Sequence, residues 1–465
     1  MERHFHENGG HSTTERGSYD KVGSLATNVT DGFTMVAVGD LIVSRPLTAC
    51  GDASFAEIVK RLHEADVTFG NLETNIFDVR SFKGSPQCGG PYHVSLPELG
   101  PDLKAMGFNI LSYANNHAFD WGVDGMRETC RILAQNGITY AGVGENLAQA
   151  GAARFLETPR GRVALVSIAA SFTPMSRACE PAGEAPGRPG LNALRLARSI
   201  VVPPEMLESL KRIRDSLPGF SSAGDNPNRV LLAGATYKAG DRPGYSYAAD
   251  NRDLNGILRN VRRGKQFADF CIATNHGHQP GNWSQEPPDY EQSLAHQLID
   301  AGADAYVGHG PHQLRGIEIY KRRPIFYSLG NFITDDLRTP VGADMFAAYG
   351  KDPRLDTDAE VTVAEMARGY ETDVALSDPL FYESIISVSR FEQNQLAELR
   401  LYPIELGHSK RFANRGIPGR VTAQKARAIL ERLQKLSKPF GTRIAIEDEV
   451  GVIRFEPGGP SQRDF

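Results

Sequence analysis

Five apolar runs along this chain each end in a cluster of polar side chains. They are FTMVAVGDLIV from Phe33, VTFGNLETNI from Val67, NILSYANNHAFD from Asn109, FADFCIATNHGHQP from Phe267 and DAYVGHGPH from Asp304. Short apolar runs bounded by turn signals read as buried strands. Between them lie segments with apolar spacing of three and four, such as SFAEIVKRLHE from Ser54 and GMRETCRILAQNG from Gly125, which predict helices. Residues 97–106, 252–266 and 290–301 read as helices in the same way. Strands that alternate with helices define an α/β chain, and the C-terminal ends of parallel strands converge on one edge of the sheet.

The rest of the chain is organised around that alternation. Residues 1–32 read as a flexible leader, with His4, His6 and His11 as tail residues. The core domain is expected over 33–408. ARFLETPRGRVALVSIAAS from Ala153 reads as a hairpin turned at Pro159-Arg160-Gly161. Residues 173–250 are rich in Pro, Gly, Arg and Asn without clear periodicity, as an insertion that shapes a site or a disordered stretch would be. A second polar insertion covers 355–375. Residues 383–404 alternate as antiparallel strands, which predicts a mixed sheet or a second sheet. An extension over 409–465 carries helix 421–437 and a hairpin, TRIAIEDEVGVIRF.

Composition narrows the function classes. With 51 basic and 56 acidic residues the net charge is −5, which gives no electrostatic footprint for nucleic acid or an anionic membrane. The five cysteines are scattered and form no CxxC, which argues against a disulfide framework or a thiolate zinc site. No run of 18 apolar residues occurs, so the expectation is a cytoplasmic protein with no membrane anchor. A homo-oligomer is compatible with all of this.

The polar strand ends hold Asp40, Asn71 with Glu73, Asn115 with Asn116, His117 and Asp120, His276 with His278, and His309 with His312. Any one of these has a bland role as a cap or turn residue. Acidic, amide and imidazole groups recurring at the same end of successive strands are harder to explain that way. Carboxylates, imidazoles and an amide oxygen together suit a divalent transition metal, Mn, Zn or Fe, with one or two ions per chain.

These residues also carry a family likeness. Gly-Asp at 39–40, GNLE at 70–73, NNHAFDWG at 115–122, the His276 loop, GHGPHQLRGIEIY at 308–320 and PIFYSLGNF at 324–332 resemble the CapA-like family of poly-gamma-glutamate capsule biosynthesis, within the calcineurin-like metallophosphoesterase superfamily. The resemblance covers roughly 33–335. It implies a four-layer α/β/β/α sandwich of the metallophosphoesterase type, with mixed sheets and loop insertions. It implies Asp40, Glu73, Asn116, His276, His309 and His312 as metal ligands, with Glu73 bridging, and His117 with Asp120 as a His–acid pair that protonates a leaving group. Two departures stand out. Asp40-Leu41-Ile42 offers no histidine where the superfamily opens with DxH, and His276-Gly277-His278-Gln279 stands where relatives carry HWG. His278 is then either a compensating ligand or a group behind the ligands.

The function implied is a metal-dependent hydrolase in which a metal-bound hydroxide attacks a phosphoester or a gamma-glutamyl-like amide or lactam bond. The substrate is small and anionic or peptide-like, and Asn71, His278, Arg188 and Arg315 are expected to contact it, the arginines because guanidinium pairs bidentately with carboxylate or phosphate. The alternative is a non-catalytic accessory protein of poly-gamma-glutamate capsule or cell-envelope polymer synthesis. His63, His93, His296 and His408 read as structural or surface groups, Trp121 as core, Trp283 as a wall of the site, and Tyr327 and Asn331 as neighbours of it.

Overall fold

The computed structural model describes residues 27–87, 92–219, 226–335, 340–372, 378–411 and 414–455. The leader up to residue 26, with His4, His6 and His11, lies outside the described residues. Just after it, Val29 is already buried and its N–H donates to Asn394 Oδ1.

Two sheets dominate a mixed α/β architecture. The first has ten strands. At its centre Phe33–Val43 pairs in parallel with Val67–Leu72, which pairs in parallel with Ile110–Ser112 and that in turn with Thr139–Ala141. On its other side Phe33–Val43 meets the antiparallel strand Glu383–Glu392 and the parallel strand Asn331–Asp335. The expected late antiparallel strands therefore extend the first sheet and make it mixed. Its edge is built from the C-terminal region, where Val450–Arg454 pairs with Gln395–Glu405. The second sheet has six strands, with Gly161–Ala169, Phe270–His276, Ala305–His309 and Arg323–Phe326 parallel to one another. Arg154–Thr158 joins Gly161–Ala169 in the expected hairpin.

Side-chain alternation shows how the sheets bury their faces. Phe33, Met35, Ala37, Val67 and Phe69 of the first sheet share one apolar cluster with Val163, Leu165, Phe270, Ile272, Ala305 and Val307 of the second. The helix Ala423–Ser437 adds Ile429, Leu430 and Leu433 to that shared interior. Val36, Val38 and Leu41 point the other way, into a cluster with Phe55, Ile58 and Leu62 of the helix Ala53–Leu62 and with Leu103, Met126 and Ile132. Ala164, Val166, Cys271 and Ala273 likewise pack on Ile257 and Val261 of the helix Asn251–Gln266 and on Leu294 and Leu298 of Asp289–Asp300. Asp52 and Asp250 start two of these helices by accepting main-chain N–H bonds in the first turn.

The 173–250 stretch carries a four-stranded sheet of its own (Leu196–Val202, Arg229–Leu232, Ala235–Ala239 and Gly244–Ala249) and the helix Pro204–Ser216. Its strands are largely half-buried, so the apolar alternation that marks a core strand is weak. The 355–375 stretch contains the helix Asp358–Thr372.

Candidate metal centre

A single irregularity decides where Asp40 points. Met35, Val36 and Ala37 lie opposite Val67, Thr68 and Phe69, but Asp40 lies opposite Asn71, so one extra residue sits in the first strand between Ala37 and Asp40. Such a bulge reverses the alternation. Odd-numbered residues face the shared interior before it, whereas Leu41 and Val43 face the helices after it. Asp40 is thereby brought to the same side as Asn71. Gly39 makes the bulge feasible, because a Cβ there would come within 1.8 Å of the Gly330 carbonyl oxygen. In the second sheet, His276 and His309 continue the interior-facing series of Phe270 and Ile272 and of Ala305 and Val307.

The side chains meet in one buried cluster. Asp40 is fully buried; its Oδ1 accepts from Asn71 Nδ2 at 2.9 Å and its Oδ2 from the Gly310 N–H at 3.1 Å. His309 Nδ1 lies 3.2 Å from Asp40 Oδ1, and His312 Nδ1 lies 3.5 Å from Oδ2. His276 Nε2 is 2.7 Å from Asn116 Oδ1 and 3.4 Å from Glu73 Oε1. His278 joins it, with Nε2 3.1 Å from His276 Nε2. His117 Nδ1 pairs with Asp120 Oδ2 at 2.7 Å, leaving Nε2 4.0 Å from Glu73 Oε1. His312 adopts a left-handed backbone (φ 56°), an uncommon conformation for a non-glycine residue, and its Nδ1 is 2.8 Å from Asn331 Oδ1.

The electrostatics are polarised. Burial alone would push the Asp40 carboxyl up, but the His309 and His312 rings beside it outweigh that and hold it well below the usual range. Glu73 has no such support, so burial, with the charges of Asp40 and Asp120 added, raises it well above its ordinary value. Burial keeps His276 well below its ordinary value and His278 down to about 3, in both cases helped by a neighbouring imidazole, which leaves lone pairs for a cation.

A metal fits these residues by a direct structural test. Both Glu73 carboxylate oxygens and both His309 ring nitrogens are buried without a hydrogen-bond partner; the 3.2 Å approach of His309 to Asp40 lacks hydrogen-bonding geometry. Unpaired buried donors and acceptors cost about 1–3 kcal/mol each, more for charged groups. Two triads of ligand atoms, from Asp40, Glu73 and His276 and from Glu73, His278 and His312, each lie within 4.8 Å of one another. Glu73 belongs to both.

The expected substrate contacts are distributed differently. Asn71 is fully buried and links Asp40, His276 and Asn115 through its amide. Arg315 is fully buried as well, and bonds to the Gln279 and Ser284 carbonyls and to Glu291. Arg188 is exposed and bonds to the Arg177 and Pro174 carbonyls and to Cys179 within its own insertion. A cavity of about 450 Å³ opens beside the cluster, lined by His278, Gln279, Phe172 and Tyr247 and by two other arginines, Arg195 and Arg198. A larger cavity, about 640 Å³, lies against Asn251–Gln266 and contains no residue of the cluster.

His93, expected to be structural, is a neighbour of the cluster. It is buried, its ring centroid is 4.2 Å from that of His117, and its Nδ1 has no hydrogen bond. Nothing in its local stretch, PYHVS, signals this. Trp121 packs with Phe77 and Phe82 as expected, whereas Trp283 is 57% exposed. Tyr327 turns its hydroxyl to Glu318.

Fold and cluster together define an α/β protein whose strand ends gather carboxylates, amides and imidazoles at one buried point. By sequence the chain belongs to the bacterial capsule synthesis protein family PGA_cap, whose profile matches residues 34–336. It is 68% identical to the uncharacterized protein y4sH of Sinorhizobium fredii over 98% of this chain and 100% of that protein. It is 25% identical to the capsule biosynthesis protein CapA of Bacillus anthracis, over 65% of this chain and 60% of that protein. A Mycobacterium tuberculosis relative, a probable polyglutamine synthesis accessory protein, is 29% identical over 58% of this chain and 56% of its own length. Among the described residues no helix is long and apolar enough to cross a membrane.

Proposed function

We propose that this chain is a metal-dependent hydrolase on a four-layer α/β/β/α sandwich of the metallophosphoesterase type. Helices on the outer faces of two sheets with a common apolar interior support that layering. The observation that carries the functional reading is Glu73, a fully buried carboxylate with neither oxygen hydrogen-bonded, facing imidazoles from the other sheet.

Asp40, Glu73, Asn116, His276, His309 and His312 would hold one or two divalent ions of the Mn, Zn or Fe type. A bound ion of this kind lowers the pKa of water and polarises a phosphoryl or carbonyl oxygen. The chain's own residues supply the rest. Asp120 fixes the His117 ring through Nδ1, so that Nε2 faces the cluster and delivers a proton to the leaving oxygen or nitrogen. Asn71 locks Asp40 and His276 in register. Arg198 lines the adjoining cavity and suits a small anionic or peptide-like substrate carrying a phosphoester or a gamma-glutamyl-like amide or lactam bond, while Arg195 beside it is held by Asp253 and Asp250.

A second reading, a non-catalytic accessory protein of polymer synthesis, is favoured by the name of the mycobacterial relative. A hydrolysis screen separates the two. Metal-loaded protein is assayed on p-nitrophenyl phosphate, bis-p-nitrophenyl phosphate and gamma-glutamyl-p-nitroanilide, with and without chelator. Turnover of at least one substrate, lost with chelator and in Asp40→Ala, is expected. No turnover by fully loaded protein favours the accessory role.

A further inference from the structure

Four donor atoms around His276 are spaced as ligands of one ion are. His276 Nε2 lies 2.7 Å from Asn116 Oδ1, 3.1 Å from His278 Nε2 and 3.4 Å from Glu73 Oε1, and His278 Nε2 lies 3.2 Å from the same Asn116 oxygen. Atoms bound to one ion at about 2.0–2.2 Å stand roughly 2.8–3.6 Å apart on neighbouring corners of an octahedron or tetrahedron. The four observed separations fall close to that range.

Hydrogen bonding explains only part of the arrangement. His278 Nδ1 is 2.7 Å from Asn282 Oδ1, an acceptor, so the ring carries its proton on Nδ1 and turns a bare Nε2 lone pair toward the cluster. One proton on His276 Nε2 can serve the Asn116 oxygen or the His278 lone pair well, but not both along straight lines. Main-chain contacts fix the approach: the His278 N–H donates to Ser171 Oγ at 2.9 Å, and the Asn282 carbonyl accepts from Gln313 Nε2. This outer hydrogen bond, from the far ring nitrogen to a side-chain oxygen, is the usual way a ligating imidazole is oriented.

We propose that His278 is a metal ligand, sharing one ion with His276, Asn116 and Glu73, and that Asn282 is the positioning residue that fixes its ring. The proposal rests on the metal-centre reading above and replaces a substrate contact for His278 with a coordinating one. A wall of the 450 Å³ cavity is then formed by a ligand's ring, which puts the ion beside that cavity rather than deep behind it.

The test is cobalt binding to the full chain after removal of its native metal, followed by titration, d–d absorption and elemental analysis. Wild type is compared with His278→Ala, Asn282→Ala and, as a control, His63→Ala, whose ring bonds to the Ala105 carbonyl on the surface. Expected is the loss of one equivalent, or at least tenfold weaker binding of it, in His278→Ala, with a changed absorption band. Asn282→Ala should weaken the same equivalent by about 10–100-fold, and His63→Ala should change nothing. Unchanged stoichiometry, affinity and spectrum in a folded His278→Ala would overturn the proposal and leave the metal-centre reading standing. Absence of cobalt binding by wild type would overturn both. Melting temperatures taken in chelator distinguish a lost ligand from a misfolded variant.

Discussion

Among the buried charged networks of the described residues, two differ in how completely they are satisfied. Around Arg315, the guanidinium reaches the Gln279 and Ser284 carbonyls and Glu291, while Glu291 also accepts from the Tyr306 hydroxyl at 2.9 Å. Around Glu73, both carboxylate oxygens and both nitrogens of His309 stay unmatched. Burial is complete in both places, so burial does not set them apart. A closed network holds the 276–291 loop and helix against the sheet; an open one keeps donors in place for something else. Buried polar groups left unpaired are tolerated when a function requires them.

The comparison breaks most visibly in activity. Glu73→Gln should lower hydrolysis by about 10³-fold or more, because removing the shared carboxylate disables both triads. In chelator, however, its urea midpoint should equal or exceed that of wild type, since an unpaired buried acid is replaced by a neutral amide. A large loss of metal-free stability would mean that Glu73 belongs to a closed network after all.

Next in size is the proton donor. His117→Asn should lose about 10²–10⁴-fold in turnover while metal content stays at the wild-type value, measured on the same sample. Equal loss of metal and turnover would make His117 a ligand instead.

In the closed network the effect should appear mainly in stability. Arg315→Met leaves Glu291 buried without its cation and should cost about 3 kcal/mol in denaturant unfolding, toward the low end for a broken buried pair because Glu291 can take up a proton. Metal affinity should fall far less than in Glu73→Gln. An Arg315→Met protein of normal stability but weakened binding of anionic substrate would restore the substrate role expected from sequence.

The last effect is a pH slope, shallow at any one pH. Burial pushes Glu291 up to about 7 against the opposing charge of Arg315, from an ordinary 4.5. A carboxyl raised in the folded state holds its proton longer there than in the unfolded chain. Its contribution is therefore full below about pH 4.5 and is lost as pH rises through about 7. Glu291→Gln should flatten the fall in stability across that window, read from unfolding midpoints at pH 4.5, 6 and 7.5.

Much of the site was legible because strand ends are local features. Asp40, Glu73, Asn116, His276, His309 and His312 each follow an apolar run, and parallel pairing brings those ends together without any detail of packing. What periodicity conceals is a single inserted residue: the bulge at Gly39-Asp40 decides the facing of Asp40, yet the string VAVGDLIV reads the same with or without it. Arginine partners are hard to read from sequence for a related reason. Arg315 follows a site motif and Arg188 sits in the insertion, but a guanidinium's partners are set by tertiary neighbours, and the cavity beside His278 is lined by Arg198 of the inserted sheet and by Arg195 just before it. His93 and Asn282 come close to the cluster from loops, where neither period 2 nor 3.6 applies.

The central claim, that the open network is a metal centre, is tested most directly by elemental analysis of purified protein beside Glu73→Gln, each reconstituted with Mn, Fe or Zn and dialysed. One or two ions per chain in wild type, and at least one fewer in a folded Glu73→Gln, is the predicted result. Wild-type protein that retains no ion after reconstitution, or a variant that retains the full complement, would contradict it.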